Sequence, residues 1–111
     1  MKPGTMWIMA GVVAAVVSLR AADVKENWMT HCARCHGADG RGDAETGKRL
    51  RAKDYTDPKV QARLKDEAMI RITREGKKER GRTVMKGYLG PDLLTEQEIK
   101  DLVAYIRRFK K

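Results

Sequence analysis

The stretch Cys32-Ala33-Arg34-Cys35-His36 decides how this chain is read. Cysteines three positions apart lie about one helical turn apart, so both thiols reach the same edge of a flat macrocycle, and the following histidine falls beneath its centre. This is the attachment pattern of a c-type haem: the two thiols add to the vinyl groups as thioethers and His36 supplies the proximal imidazole to the iron. Cys32 and Cys35 are the only cysteines of the 111 residues, so attachment would consume both.

Other uses of the same residues are weaker. A disulfide closing so short a loop is strained and redox-active rather than stabilising. A redox dithiol of the thioredoxin type belongs in a βαβ setting, and no run of branched apolar residues flanks the motif. Tetrahedral zinc needs two more thiolate or imidazole ligands, and beyond the motif the chain offers only His31, which sits beside Cys32 and points elsewhere.

Residues 1–21 read as a secretory signal peptide. Lys2 is a short positive start, the stretch 6–19 is almost wholly apolar, and small residues follow at Ala21 and Ala22. That apolar stretch is shorter than the ~20 residues that span a bilayer, and an uncleaved leader serving as an anchor is the alternative, since Arg20 interrupts the cleavage site. Export suits the motif, because haem is joined to it outside the cytoplasm. The expected domain is therefore 22–111, in the periplasm or on the outer face of the cytoplasmic membrane. So short a chain builds a thin core, and aromatic residues make up only 5% of it, Trp7 leaving with the leader. A buried porphyrin would supply the missing apolar mass.

Around the motif the pattern is helical. Residues 23–34 form the first expected helix, with Asp23 as N-cap and Val24, Trp28, Met29 and Cys32 on one face, so that Trp28 packs near the haem edge. The glycine-punctuated run 37–43 is a loop, after which Leu50 would cover the ring and a carbonyl of the segment 47–50 would accept from Nδ1 of His36. Asp57-Pro58 starts a helix or two short ones, closed by Gly76. Residues 77–90 hold Met85 and have no sustained period, so they read as a loop. Thr95-Glu96-Gln97-Glu98 is a capping box opening a terminal helix with Ile99, Leu102, Val103, Ile106 and Phe109 on its apolar face. No strand is expected.

With this order of motif, glycine loop, solitary loop methionine and terminal helix carrying Leu102 and Tyr105, residues 23–111 resemble the class I c-type cytochromes. The resemblance implies an all-α, cytochrome c-like fold of three to four short helices wrapped around one covalently attached haem. It also implies first and last helices that cross beside the haem through Trp28 and Tyr105, with Leu102 alongside. The distal iron ligand it implies is Met85, the methionine ahead of the last helix, with Met69 and Met29 as rivals. Two departures stand out: Val24 replaces a small glycine eight residues before the first cysteine, and Lys48 replaces a proline.

The expected function is that of an electron carrier, not an enzyme, with one haem c and one iron per chain under His/Met ligation. Thioether sulfur is a soft ligand that favours reduced iron. No second histidine, acid pair or activated nucleophile surrounds the motif to suggest catalysis. The alternatives are a haem module docked to a larger dehydrogenase or oxidase, a ligand-binding haem sensor or peroxidase, and, last, a haem-free dithiol. Charge points to the partner. Removing Lys2 and Arg20 from 24 basic residues leaves 22 against 15 acidic ones, a net +7. Thirteen of the basic residues and only six acidic ones lie in the stretch 48–82. Such a surface steers a carrier to acidic redox partners, a dehydrogenase or a terminal oxidase, in a salt-sensitive encounter. Nucleic acid is excluded by compartment and by the scarcity of stacking aromatics. The chain is expected to be a monomer that meets a membrane only if the leader stays uncleaved.

Overall fold

The computed structural model describes Gly4, Gly11 and residues 20–111, with side chains from residue 24 onward. Apart from Arg20 and Ala21, the expected leader lies outside the described residues. A continuous helical run opens the described chain: α1 (Arg20–Asn27), a π-helical turn (Trp28–Cys32) and α2 (Ala33–His36). The helix is already formed at Arg20, so Asp23 lies inside it and is not its N-cap. In the π turn the N–H of Ala33 bonds back to the carbonyl of Trp28, five residues earlier. One residue more in that turn rotates the motif helix by about 100° relative to an uninterrupted α-helix. Trp28 and Cys32 are buried, while Met29, expected on the same face, is exposed.

Beyond the glycine loop comes a short helix that the sequence pattern does not announce, α3 (Glu45–Leu50), then α4 (Pro58–Arg63) and α5 (Asp66–Glu75). Asp57 caps α4 by accepting from the N–H of Lys59 at 2.8 Å, with Pro58 at the first helical position. The chain is extended at Leu64 and Lys65, which separates α4 from α5. Arg107 of the last helix bonds into that break. Its guanidinium donates to the carbonyl of Gln61 at 2.8 Å, to Gln61 Oε1 at 2.9 Å, to the carbonyl of Leu64 at 2.7 Å and to Asp66 at 2.9 Å. The buried Gln61 amide in turn donates to the carbonyls of Tyr55 and Ile106.

The segment expected to be a loop contains an antiparallel hairpin, β1 (Gly76–Glu79) and β2 (Arg82–Lys86), so the fold is helical with a small two-stranded sheet and not all-α. Its register pairs Lys77 with Met85 and Glu79 with Arg82, with an irregularity between Lys77 and Lys78. The turn is Arg80-Gly81, both with positive φ (51° and 77°), the two-residue geometry that matches strand twist. Turn geometry and main-chain bonding make this hairpin, not a buried apolar face, which is why no alternation announces it.

The last helix, α6 (Glu96–Arg107), has the expected capping box, Thr95 and Glu98 each bonding to the other's backbone N–H. Ile99, Leu102, Val103 and Ile106 are buried on its inner face and form one core with Val24, Trp28, Cys32, Met69 and Leu94. The helix packs against α1 on one side and α5 on the other.

Arg107→Lys should lower stability by about 1–3 kcal/mol, because an ammonium cannot reproduce the planar fork and leaves Oε1 of the buried Gln61 unpaired. Denaturant unfolding followed by circular dichroism checks it, with exposed Arg108→Lys as the control expected to change little.

Candidate functional site

The helical run delivers the motif. Cys32 is buried and Cys35 half-buried, and both thiols are free. Burial, with the neighbouring Cys35 adding to it, pushes the Cys32 thiol up to about 12, so it rests protonated. Burial also holds the His36 imidazole below its ordinary value and therefore neutral, the form in which a ring nitrogen can ligate a metal. Its Nδ1 is buried with no hydrogen-bond partner. The expected acceptor in the segment 47–50 is taken: the carbonyls of Gly47 and Lys48 accept from Ala52 and Arg51 where α3 closes.

Gly37, at φ 82°, turns the chain out of the helix directly after His36. Trp28 fixes that turn, its Nε1 donating to the Gly37 carbonyl at 3.0 Å. The loop then folds back, Gly42 donating to the carbonyl of His36 at 2.8 Å and Tyr55 to that of Gly40 at 2.8 Å. Gly47 lies against the carbonyl of Cys35 so closely that a Cβ would overlap it.

Aromatic rings gather here. Trp28, only 1% exposed, has the centroids of Tyr105 at 5.8 Å, Phe109 at 5.0 Å, Tyr55 at 6.5 Å and His36 at 5.8 Å. Tyr55 stacks on His36 at 5.3 Å and 22°, and burial raises its phenol to about 12. Tyr88 donates from its hydroxyl to the carbonyl of His31 at 3.0 Å, beside the motif. Tyr55 and Tyr88 escape a reading by periodicity because each stands in an irregular segment. The available signal is scarcity: in a chain with only five aromatic residues beyond Trp7, each one merits a place near the site.

The other expected residues are more dispersed. Leu102 is buried beside the Trp28–Tyr105 contact. Leu50, at the end of α3, is 43% exposed. Met85 is half-buried on β2, a strand rather than a loop, and Met69 is buried in the core. Free thiols on the first and last positions of one helical turn, a neutral buried imidazole next to them and a buried nitrogen without a partner suit a covalently held haem.

These features define a c-type haem protein, and the comparisons agree. Residues 21–110 match the family described as cytochrome c. The chain is similar to the solved structure of the KustC0563 c-type cytochrome, at 32% identity over 78% of this chain and 96% of that one, with a TM-score of 0.63. It is similar also to a tyrosine-to-phenylalanine mutant of that cytochrome, at 34% identity over 79% and 99%, with a TM-score of 0.66. Among curated proteins none matches. The chain belongs to the cytochrome c family and is a class I c-type cytochrome, a family that carries covalently bound haem c with iron and whose members are generally electron carriers.

Gly47→Ala should cost about 1–3 kcal/mol, since the added methyl meets backbone that cannot swing aside. Unfolding of the holoprotein measures it, with Gly90→Ala, which has room, as the control.

Proposed function

We propose that the protein is an exported, periplasmic one-electron carrier with a single haem c, held by Cys32 and Cys35 through thioethers and ligated by His36 on one side and Met85 on the other. When bound, the haem supplies an iron that cycles between the ferrous and ferric states. The observation that carries this reading is the motif itself: two unpaired thiols and a neutral imidazole presented by one helical run in a cytochrome c fold.

Each residue has a stated part. Cys32 and Cys35 give up their thiol protons and hold the cofactor for the life of the protein, so it is not lost on each encounter. His36 donates a ring nitrogen, and its plane is held by the stack on Tyr55. Trp28 and Tyr105 lock the crossing of α1 and α6 beside the motif and keep water from that side. Met85 is favoured over its rivals by availability. Met69 is packed in the core with Leu102 and Ile99, and Met29 faces outward from the π turn. The hairpin holding Met85 is joined to the body through α5 and the Tyr88 bond to Thr73, a frame rigid enough to keep a thioether in place. Among the described residues no further cluster of histidine, cysteine and carboxylate forms a second metal site. The basic stretch 48–82, which runs from α3 to the hairpin, is the surface offered to an acidic dehydrogenase or oxidase.

In a haem-stained denaturing gel the wild type should stain and Cys32→Ala/Cys35→Ala should not; full staining of the double variant would refute covalent attachment. For the sixth ligand, Met85→Ala should lower the reduction midpoint and raise cyanide affinity, because water or lysine stabilises ferric iron more than sulfur does. Spectroelectrochemistry alongside Met69→Ala decides the matter: both changes in Met69→Ala and neither in Met85→Ala would reassign the ligand.

A further inference from the structure

The end of α3 and the tip of the hairpin face each other across an open cleft of about 750 Å³. Arg49 and Arg51 stand on one wall and Arg80 and Arg82 on the other, with Leu50 and Val84 as the apolar part of the lining. Glu79 is its one acid, and Lys77 holds that carboxylate at 3.3 Å. The other ion pairs of the described residues are Arg41–Asp39, Arg74–Glu96 and Arg107–Asp66, so none of the four cleft arginines is in one.

The backbone adds a second observation. Among the described residues, those other than glycine with positive φ are Arg51 (58°) and Arg80 (51°), and both line this cleft. Arg51 follows a helix end and Arg80 is the first central residue of a two-residue hairpin turn. At both positions glycine or asparagine is the low-cost residue. Left-handed backbone costs an ordinary L-residue roughly 1–2 kcal/mol, and such strain persists typically where a ligand clamp or switch uses it. Among the described residues nothing offsets that cost for arginine, since neither side chain pairs with a carboxylate.

The hairpin register separates this cleft from the proposed iron ligand. Glu79 pairs with Arg82, and alternation puts Val84 on the same strand face as Arg82 and Met85 on the opposite one. We propose that the cleft is a binding site for a small polyanion bearing two oxyanion groups, a diphosphate or a compact di- or tricarboxylate. Each wall offers two guanidiniums, whose planar forks match phosphate and carboxylate oxygens two at a time. The cleft is of the size that holds small ligands, roughly 300–1,000 Å³. A bound dianion bridges the end of α3 to the hairpin, while a monoanion satisfies one wall only. The site does not depend on which residue ligates the iron.

The test is titration calorimetry of the holoprotein with inorganic pyrophosphate, at an ionic strength held constant with sodium chloride and with haem content checked beforehand by pyridine haemochrome. Two double variants of equal net charge are compared: Arg51→Gly/Arg80→Asn, which empties the left-handed positions, and Lys59→Ala/Lys110→Ala, which removes exposed charge elsewhere. The wild type should bind one pyrophosphate saturably. The arginine variant should bind it about tenfold more weakly or worse, having lost charge-assisted pairs on both walls, and the lysine variant within about twofold of wild type. Without anion, the arginine variant should melt at or above the wild-type temperature, because the strain is gone. Absence of saturable binding by the wild type, or equal loss in both variants, overturns the proposal. So does a wild type that ignores pyrophosphate while the arginine variant alone slows electron exchange with an acidic protein, which would make the cleft a protein-docking surface.

Discussion

The indole of Trp28 joins parts of the chain that nothing else brings together. Its N–H is bonded to the carbonyl of Gly37, the residue that turns the backbone out of the motif helix, and its ring meets Tyr55, Tyr105, Phe109 and His36. One side chain thus ties the first helix, the glycine loop, the segment before α4 and the last helix to each other. A buried indole needs a partner for its N–H. Here that requirement also fixes where the chain leaves His36, so the packing of the core and the exit of the motif are one arrangement. The π turn that begins at Trp28 serves the same end, since the extra residue sets Cys32 inward without moving the indole out.

Away from this centre, the structure is held by polar rather than apolar contacts. The nine buried hydrophobic residues come from α1, the π turn, α5, α6 and Leu94, and none lies in residues 33–63 or in the hairpin. The long stretch between α2 and α5 is instead secured by backbone bonds such as Tyr55 to Gly40, by the close approach of Gly47 to Cys35, and by the Gln61–Arg107 network at its far end. Gln61 and Arg107 form a relay: α6 holds the break between α4 and α5, and Gln61 passes the constraint to the carbonyl of Tyr55, whose ring lies on His36. The orientation of the imidazole is therefore coupled to the last helix through hydrogen bonds as well as through Trp28.

The parts legible in the sequence are those written in local chemistry. The capping box at Thr95, the Asp57-Pro58 start, the stop at Gly76 and the Cys32–His36 motif each depend on a few neighbouring residues, and each appears where expected. The departures have physical reasons. The π turn adds a residue to the helical count, so a single face drawn through Val24, Trp28, Met29 and Cys32 puts Met29 on the wrong side. The hairpin buries no apolar face, and its strands, rich in lysine and arginine, carry no period of two; only Gly81 marks the turn. The α3 helix is too short for periodicity to register. Tyr55 joins the site through a distant carbonyl, which no local pattern encodes.

The distribution of core and charge gives the cofactor a structural part as well. In a family that binds haem covalently, the apolar mass of the ring adds to a protein whose own buried residues sit on one side of the motif. The segment 33–63 and the hairpin, which have polar and main-chain anchors but no buried hydrophobic residue, are the parts with most to gain from an apolar body attached at Cys32 and Cys35. They are also the parts that carry the densest positive charge, with thirteen basic residues in the stretch 48–82. Like charges brought close raise the cost of folding those segments together, and the carboxylates that a haem carries at its edge oppose that repulsion. Apolar attachment at one end and charge neutralisation at the other then act on the same two segments, and the chain reaches its full stability only as the holoprotein.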